Sequence, residues 1–382
     1  MIRSAGAPRR PGGAALPVGL IADDLTGALD AAAPFARRDA PVAVLHRIAR
    51  SRSSFALDAG TRGASETEAE AAAAQSAGLL RGVHTAFRKI DSLLRGHPAA
   101  EIAVTAQAGR FASVVVAPAF PAQGRITLQG RQYVRHADDT YRLIDVDLRL
   151  ELAARGMPVR VLPGIGAMEG AGVFLCDAEY DADLDAIAAA RERLRSPVLW
   201  CGSSGLARAL AGPVGPVSTP AGPCLGIVGS RHPASLDEAA MLRAADPGAV
   251  VELADVGFVA QITDLARMRM ARGLSVLIAL RLPPVPAAEA AHVLGVLARA
   301  ALDLGPAALF ASGGDTLAAL RDAAGADRLE VIGEAAAGIP VSRLVGGRWN
   351  DMPVVSKSGA FAGAEIMAQI FVAPKEKRRA RA

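Results

Sequence analysis

Short apolar runs alternate with longer Ala-rich segments of mixed polarity along the chain. In the first half the runs fall at 17–22, 42–45, 55–57, 84–88, 114–117, 173–175 and 198–200. Each is bounded by polar or turn residues, the pattern of a buried strand. Segments 28–37, 65–80, 181–194 and 204–210 read as helices. The second half repeats the alternation, with strands predicted at 224–228, 250–253, 275–279, 307–310 and 354–355 and helices at 234–245, 287–302 and 316–323. Strands alternating with helices imply a mostly parallel sheet covered on both faces.

The alternation breaks once. Residues 211–223 hold four Pro and three Gly in thirteen positions and read as an interdomain linker. The expectation is two α/β domains, 17–212 and 222–373, each with a mostly parallel sheet flanked by helices. No sequence repeat relates the two halves. Residues 1–16 and 374–382 are expected to be disordered tails. With 51% hydrophobic and 21% charged residues the chain has a globular composition, and with 4% aromatics its core must be built from Ala, Val, Leu and Ile.

The net charge of +4 belongs to the ends. Three arginines lie in the first ten residues and residues 375–382 carry +4, which leaves the body near −3. A nucleic-acid binder puts a basic stripe on a folded face instead, so no nucleic-acid partner is expected. Cys176, Cys201 and Cys224 are far apart, sit in apolar runs and read as buried free thiols. The six histidines form no metal-site pattern. No secretory or membrane-spanning pattern is present, so a cytoplasmic, membrane-free location is expected. Only four lysines stand against 38 arginines, and of these Lys89 and Lys357 lie in the body, marking sites that want a compact ammonium.

Ligands of open α/β sheets sit at the carboxyl ends of the strands, so the residues after each run carry the candidate chemistry. The first run leads into Asp23-Asp24-Leu25-Thr26-Gly27, where one carboxylate can cap a helix and the second favours a ligand. After 84–88 come Lys89, Asp91, Ser92, Arg95 and Gly96. Lysine and arginine suit a carboxylate or phosphate, while Asp and Ser suit hydroxyls, so the set matches a hydroxy acid. Gly60-Thr61-Arg62-Gly63 alone is a weaker signal. In the second half, Gly226-Ile-Val-Gly229-Ser230-Arg231, Ser312-Gly313-Gly314-Asp315-Thr316 and Lys357-Ser358-Gly359 each follow a strand, and the first two lead into a helix N-terminus suited to phosphate. Neither Gly-x-x-x-x-Gly-Lys-Ser/Thr nor a strand-borne Gly-x-Gly-x-x-Gly occurs, which excludes a P-loop and leaves a dinucleotide fold without its fingerprint.

Together with Ala117-Pro-Ala-Phe-Pro121 and Gly124-Arg125, these motifs, in this order from about Val18 to Phe371, resemble the four-carbon acid sugar kinase family, long catalogued as a domain of unknown function. The resemblance implies an N-terminal sugar-acid domain, a C-terminal nucleotide domain, ATP with Mg²⁺, and phosphorylation of threonate, erythronate or 3-oxo-tetronate, with a homodimer by analogy. It places Asp23, Asp24, Arg62, Lys89, Asp91, Ser92 and Arg95 at the sugar acid. It places Ser230, Gly313, Gly314, Asp315, Thr316 and Gly359 at ATP. Where the family closes on Lys-Ser-Gly-Gly-Phe-Gly, this chain has Lys357-Ser-Gly-Ala-Phe-Ala362, which narrows the loop's backbone options.

The expected mechanism holds the acid's carboxylate on Arg62, Lys89 or Arg95 and its hydroxyls on Asp24 and Asp91. Domain closure then aligns the γ-phosphate. Asp24, Lys89 and Asp315 are the catalytic candidates, with Asp24 as proton acceptor and Asp315 as the alternative. Two other classes compete: a non-catalytic sugar-acid binding protein, and a sugar-phosphate phosphatase, which Asp-Asp-Leu-Thr suggests faintly.

Overall fold

The computed structural model describes residues 17–49, 51–136, 138–164, 168–283, 285–361 and 363–372. The expected tails and Ala362 lie outside the described residues. The chain divides into two compact units, Met1–Gly215 and Pro216–Ala382. The break falls inside the Pro/Gly-rich stretch.

In the first unit, strands β1 (Val18–Ala22), β2 (Val42–Leu45), β3 (Phe55–Asp58), β4 (Thr85–Lys89), β5 (Ser113–Ala117), β9 (Val159–Leu162), β10 (Gly172–Cys176) and β11 (Val198–Gly202) form a parallel sheet in the order β2-β3-β1-β4-β11-β5-β10-β9. Strands β6 (Arg125–Leu128), β7 (Arg131–Arg135) and β8 (Tyr141–Leu143) form a separate antiparallel ribbon. Every residue of β1, β4 and β5 is buried, because helices cover both faces. Helices α1 (Leu25–Ala32) and α6 (Ser204–Ala211) pack together, as do α2 (Glu66–Ser76), α3 (Pro98–Gly109) and α4 (Leu148–Ala154) through α3; α5 (Asp181–Ala189) packs on α6. Ile21, Leu57, Ile90, Ile102, Val114 and Leu175 stand in the core between the sheet and α3. The chain runs to one side of β1 for β2 and β3, then crosses to the other side for β4. The carboxyl ends of β1, β3 and β4 therefore flank a topological switch point, where such sheets bind ligands.

In the second unit, strands β12 (Cys224–Val228), β13 (Val250–Leu253), β14 (Val276–Leu280), β15 (Ala308–Ser312), β16 (Arg328–Ala336), β17 (Ile339–Val345) and β18 (Pro353–Lys357) order as β13-β14-β12-β15-β18-β17-β16. The first five run parallel, and β17 is antiparallel to both β18 and β16. Helices α7 (Pro233–Ala245), α8 (Val259–Ala271), α9 (Ala287–Ala301), α10 (Gly314–Ala324) and α11 (Ala364–Phe371) complete the unit. Phe310 and Phe371 meet edge to face in its core, with centroids 5.5 Å apart.

Several boundaries differ from the sequence reading for local reasons. The helix expected at 28–37 starts at Leu25, capped by Asp24, and ends at Ala32, where Pro34 turns the chain into a short 3₁₀ segment. The helix expected at 65–80 is capped by Ser65, whose side chain accepts from Glu68 N while the Glu68 carboxylate reaches back. The three cysteines are buried free thiols, as expected. Among the described residues, no helix is long and apolar enough to cross a membrane.

Candidate functional site

The first cluster is built on the ends of β1, β3 and β4. Asp23 and Asp24 leave β1 in one turn. Asp24 takes an extended conformation as the N-cap of α1, and its Oδ1 accepts from Gly27 N at 2.9 Å. Thr26 Oγ1 donates to Asp24 Oδ2 at 2.7 Å. The loop after β3 delivers Arg62, whose backbone N–H donates to the Asp23 carbonyl at 3.0 Å. The Arg62 guanidinium is the hub. It grips Asp23 with Nε and, at 2.8 Å, with Nη2; Nη2 also donates to Asp24 Oδ1 at 2.9 Å, and Nη1 lies 3.2 Å from Asp91 Oδ2. A guanidinium fork can serve three carboxylates this way where an ammonium cannot.

The loop after β4 supplies the remainder. Asp91 Oδ1 accepts from Leu93 N at 3.0 Å and Arg95 N at 3.3 Å, while the Arg95 side chain donates to both Asp91 oxygens at 2.9 and 2.7 Å. This tight turn needs left-handed backbone at Leu94 (φ 58°) and Gly96 (φ 79°). Glycine adopts that freely; at Leu94 it stores strain, a common property of ligand-binding loops. Lys89 is buried, and its Nζ donates to the Ile90 carbonyl at 2.9 Å. A Cβ on Gly27 would lie 3.3 Å from that Nζ, so the ammonium rests against the first turn of α1. Ser92 is buried, and its carbonyl accepts from Gln132 Nε2 at 2.9 Å.

The electrostatics separate the carboxylates. Burial raises the pKa of Asp23, opposed by its hydrogen bond and charge pairing with Arg62 and by Lys89. Burial acts the same way on Asp91, but there hydrogen bonds from Arg95 and the charges of Arg62, Arg95 and Lys89 prevail and hold the carboxyl below its ordinary range. For Arg62, burial is outweighed by Asp23, Asp24 and Asp91, and its pKa rises.

The second cluster gathers three loops of the second unit. Gly359 lies so close to Ser230 that a Cβ would fall 2.0 Å from Ser230 Oγ; one on Gly229 would fall 2.4 Å from Thr316 Oγ1. Gly313 has φ 102°, donates its N–H to the Lys357 carbonyl at 3.0 Å and caps α10. Thr316 is buried with its hydroxyl donating to the Ser312 carbonyl at 3.1 Å. Ser235 Oγ donates to the Gly359 carbonyl at 2.9 Å and meets Ser312 Oγ at 3.1 Å, tying the loops together. Backbone N–H groups at the start of α10 are of the kind that holds phosphate, whereas α7 begins on Pro233 and the N–H groups of Ala234 and Ser235 donate to His232. Asp315 is exposed in the first turn of α10, apart from this hydrogen-bond set.

Lys357 serves the loop itself. Its Nζ pairs with Glu238 Oε2 at 2.9 Å and donates to the carbonyls of Phe361, at 2.9 Å, and Ser358, at 3.3 Å. Glu238 Oε1 accepts from Gly363 N at 2.5 Å. Burial lowers the Lys357 pKa, opposed by its bond to Glu238. The residues missed in the sequence are such partners: Glu238 and Ser235 on α7, Glu101 on α3, Arg88 on β4, and Arg125. Arg125 is buried and close enough to Asp91 and Arg95 for their charges to act on it. The Gly124-Arg125 pair marked it, but the charges it meets are about thirty residues earlier in sequence.

Two family profiles match the chain: a sugar-binding N-terminal domain over residues 18–150 and 142–210, and a nucleotide-binding C-terminal domain over 227–367. A D-threonate kinase of Bordetella bronchiseptica is 32% identical over 400 aligned residues, covering 94% of this chain and 98% of that one. A D-threonate kinase of Cupriavidus necator is 37% identical over 263 residues, a match that spans 59% of this chain and 63% of the relative. A 3-oxo-tetronate kinase of Methylobacterium radiotolerans is 29% identical, covering 93% and 98%. The fold is also that of a solved Salmonella typhimurium LT2 protein (TM-score 0.72, 20% identity, covering 92% and 98%) and of a Haemophilus influenzae protein of the DUF1537 family (TM-score 0.64, 16% identity, covering 95% and 100%). With both units matched by profiles and a relative aligned nearly end to end, the chain belongs to the four-carbon acid sugar kinase family.

Proposed function

We propose that this chain is an ATP-dependent kinase that phosphorylates a hydroxyl of a four-carbon sugar acid, with D-threonate as the first candidate. The observation that carries this reading is the charge of the first cluster. Arg62, Lys89, Arg95 and Arg125 face Asp23, Asp24 and Asp91, four cations against three carboxylates. One positive charge is left over, which a monocarboxylate neutralises, and the site is otherwise rich in groups that bind hydroxyls. The first unit, 17–212, would hold the acceptor and the second, 222–373, the nucleotide.

In this reading Arg62, Lys89 and Arg95 orient the acid's carboxylate, and Asp24 and Asp91 take hydroxyls. Asp24 is the best placed of the three carboxylates to accept a proton. It is partly open to solvent, and its Oδ2 is engaged only by Thr26 within the described hydrogen bonds. Asp23, buried and gripped by Arg62, acts by fixing that guanidinium. Lys89 offsets negative charge at the acceptor. Ser92 shapes the loop. Ser230, Gly313, Gly314, Thr316 and Gly359 would contact ATP phosphates through backbone N–H groups and hydroxyls.

Asp315 is the carboxylate beside these loops that would hold Mg²⁺. Magnesium usually keeps waters and phosphate oxygens and takes one or two carboxylates. A single exposed carboxylate in the first turn of α10 fits that demand. When bound, the ion offsets charge on the β- and γ-phosphates. With ATP as donor, the reaction would belong in the cytoplasm.

The test is a coupled ADP-release assay with Mg-ATP against D- and L-threonate, D- and L-erythronate and 3-oxo-tetronates. Acid-dependent ADP release names the substrate. Thermal stabilisation by an acid without ADP release would make this a binding protein, and phosphate release from a sugar phosphate without ATP would make it a phosphatase.

A further inference from the structure

The first unit carries a cavity of about 450 Å³ at the amino ends of its strands. Pro17 precedes β1, His84 precedes β4 and Val198 opens β11, and all three line it. The acid site stands at the opposite, carboxyl ends. Along β4, His84 and Lys89 are separated by the strand's length, roughly 16 Å at 3.3 Å per residue. The volume lies within the usual range for small-molecule pockets, about 300–1,000 Å³.

Its lining combines an apolar side with two guanidiniums, those of Arg81 and Arg191. Phe111, Val83 and Pro197 reach the surface on the apolar side, while Leu80 and Trp200 are buried behind it. The Arg191 guanidinium stacks over the Trp200 ring, 5.5 Å from its centroid. Its Nη2 donates to Thr85 Oγ1 at 2.9 Å, and its Nη1 lies 2.6 Å from His84 Nε2. A cation that close leaves His84 Nε2 as the acceptor, so the ring is neutral there. Burial and the Arg191 charge both lower the His84 pKa, and burial lowers that of Arg191.

Arg191 is therefore held by neutral groups. In the same unit Arg62, Arg88, Arg131 and Arg155 each meet a carboxylate within ion-pair distance. No carboxylate stands within that distance of Arg191 among the described residues, and none influences its titration. A half-buried guanidinium without a carboxylate partner, in a cavity beside an aromatic ring, suits an anionic group. With His84 neutral, Arg191 and the exposed Arg81, which donates to the Ala108 carbonyl, make the lining cationic.

We propose that this cavity binds a small aromatic carboxylate or sulfonate, its ring against Phe111, Val83 and Pro197 and its anionic group on Arg191. The site shares no residue with the acid and nucleotide sites, and the proposal stands whether or not the chain is a kinase.

The test is fluorescence titration of the full chain with anilinonaphthalene sulfonate, with benzoate as competitor. Saturable binding of one probe per chain, displaced by benzoate, is expected. Arg191→Met should weaken it by about tenfold or more, the share of one charge-assisted contact. His84→Glu, at an exposed position, puts a carboxylate beside Arg191 and should abolish benzoate displacement with the fold intact by circular dichroism. Absence of saturable binding, or probe binding and benzoate displacement that persist in His84→Glu, would overturn the proposal, and this variant decides the matter if Arg191→Met does not fold.

Discussion

Replacing Glu101 with leucine tests how the acid site is held in place. Glu101 on α3 pairs with the Arg88 guanidinium and accepts from Thr61 Oγ1, and both charged side chains are buried, at 0% exposure for Arg88 and 2% for Glu101. Thr61 immediately precedes Arg62, and Arg88 immediately precedes Lys89. The pair thus ties together two strand ends that deliver cations to the site. Arg88 Nε and Nη1 have no hydrogen-bond partner among the described residues, so Glu101 is the counter-charge that makes its burial tolerable. Removing one partner of a buried pair costs about 3–5 kcal/mol. That is a large share of a typical stability of about 5–15 kcal/mol. For a unit of this size it corresponds to a fall in Tm of roughly 6–20 °C. The assay is urea unfolding followed by Trp200 fluorescence in a Trp349→Phe background, so that the first unit alone is read. The double variant Arg88→Met with Glu101→Leu should recover most of the loss, because an apolar pair of similar size replaces a buried ion pair at little cost. If Glu101→Leu stays within about 1 kcal/mol of its parent, or the double variant is as unstable as the single, the reasoning fails.

Arg62→Lys loses the fork that bridges Asp23, Asp24 and Asp91, and should raise KM for the acid about tenfold or more while leaving KM for ATP unchanged in the ADP-release assay. Gly359→Ala should do the reverse, raising KM for ATP, since its Cβ would fall 2.0 Å from Ser230 Oγ and push that residue aside. Asp24→Asn should lower kcat by about 10²–10⁴-fold, and unchanged turnover would remove Asp24 from the proton-accepting role. Asp91 has a depressed folded-state pKa, so the stability it contributes is present above its ordinary value of 3.8 and lost as pH falls below it. Asp91→Asn should therefore flatten the acid limb of the stability–pH profile, and an unchanged limb would show that Asp91 is not what drives it.

The sequence disclosed the elements whose signals are local. Apolar runs located most parallel strands, because a strand buried on both faces has no polar alternation to hide it. The turn residues after β1 and β4 gave the acid site, because a switch point concentrates polar side chains at strand ends. The ribbon β6–β8 was not legible: its strands carry Arg125, Arg131 and Arg135, and its pairing is set by a Gln129-Gly130 turn with φ 53° and 72°. That turn is anchored from afar, Asp177 accepting from Gln129 N at 2.7 Å and from Gly130 N at 2.8 Å. The β16–β17 hairpin was missed for a related reason. It contains register shifts at Val331/Gly333 and Glu334/Ala336 that interrupt the period of two.

The closing loop shows how far motif reading reaches. Alanine at 360 and 362 in place of glycine suggested a constrained nucleotide loop. Ala360 is not among the residues with left-handed backbone, so its Cβ adds no conformational strain there. The glycine that close packing requires is Gly359, against Ser230, and this chain keeps it. The lysine of the same motif is also better understood through its partners. With Glu238 and two carbonyls around it, the Lys357 ammonium is engaged in shaping the turn that presents Gly359. Its rarity in sequence marked a site that wants a compact ammonium, and its partner lies on α7, more than a hundred residues earlier. A motif specifies which residues meet at a strand end, but their division into ligand-holding and loop-holding groups depends on contacts that only folding supplies.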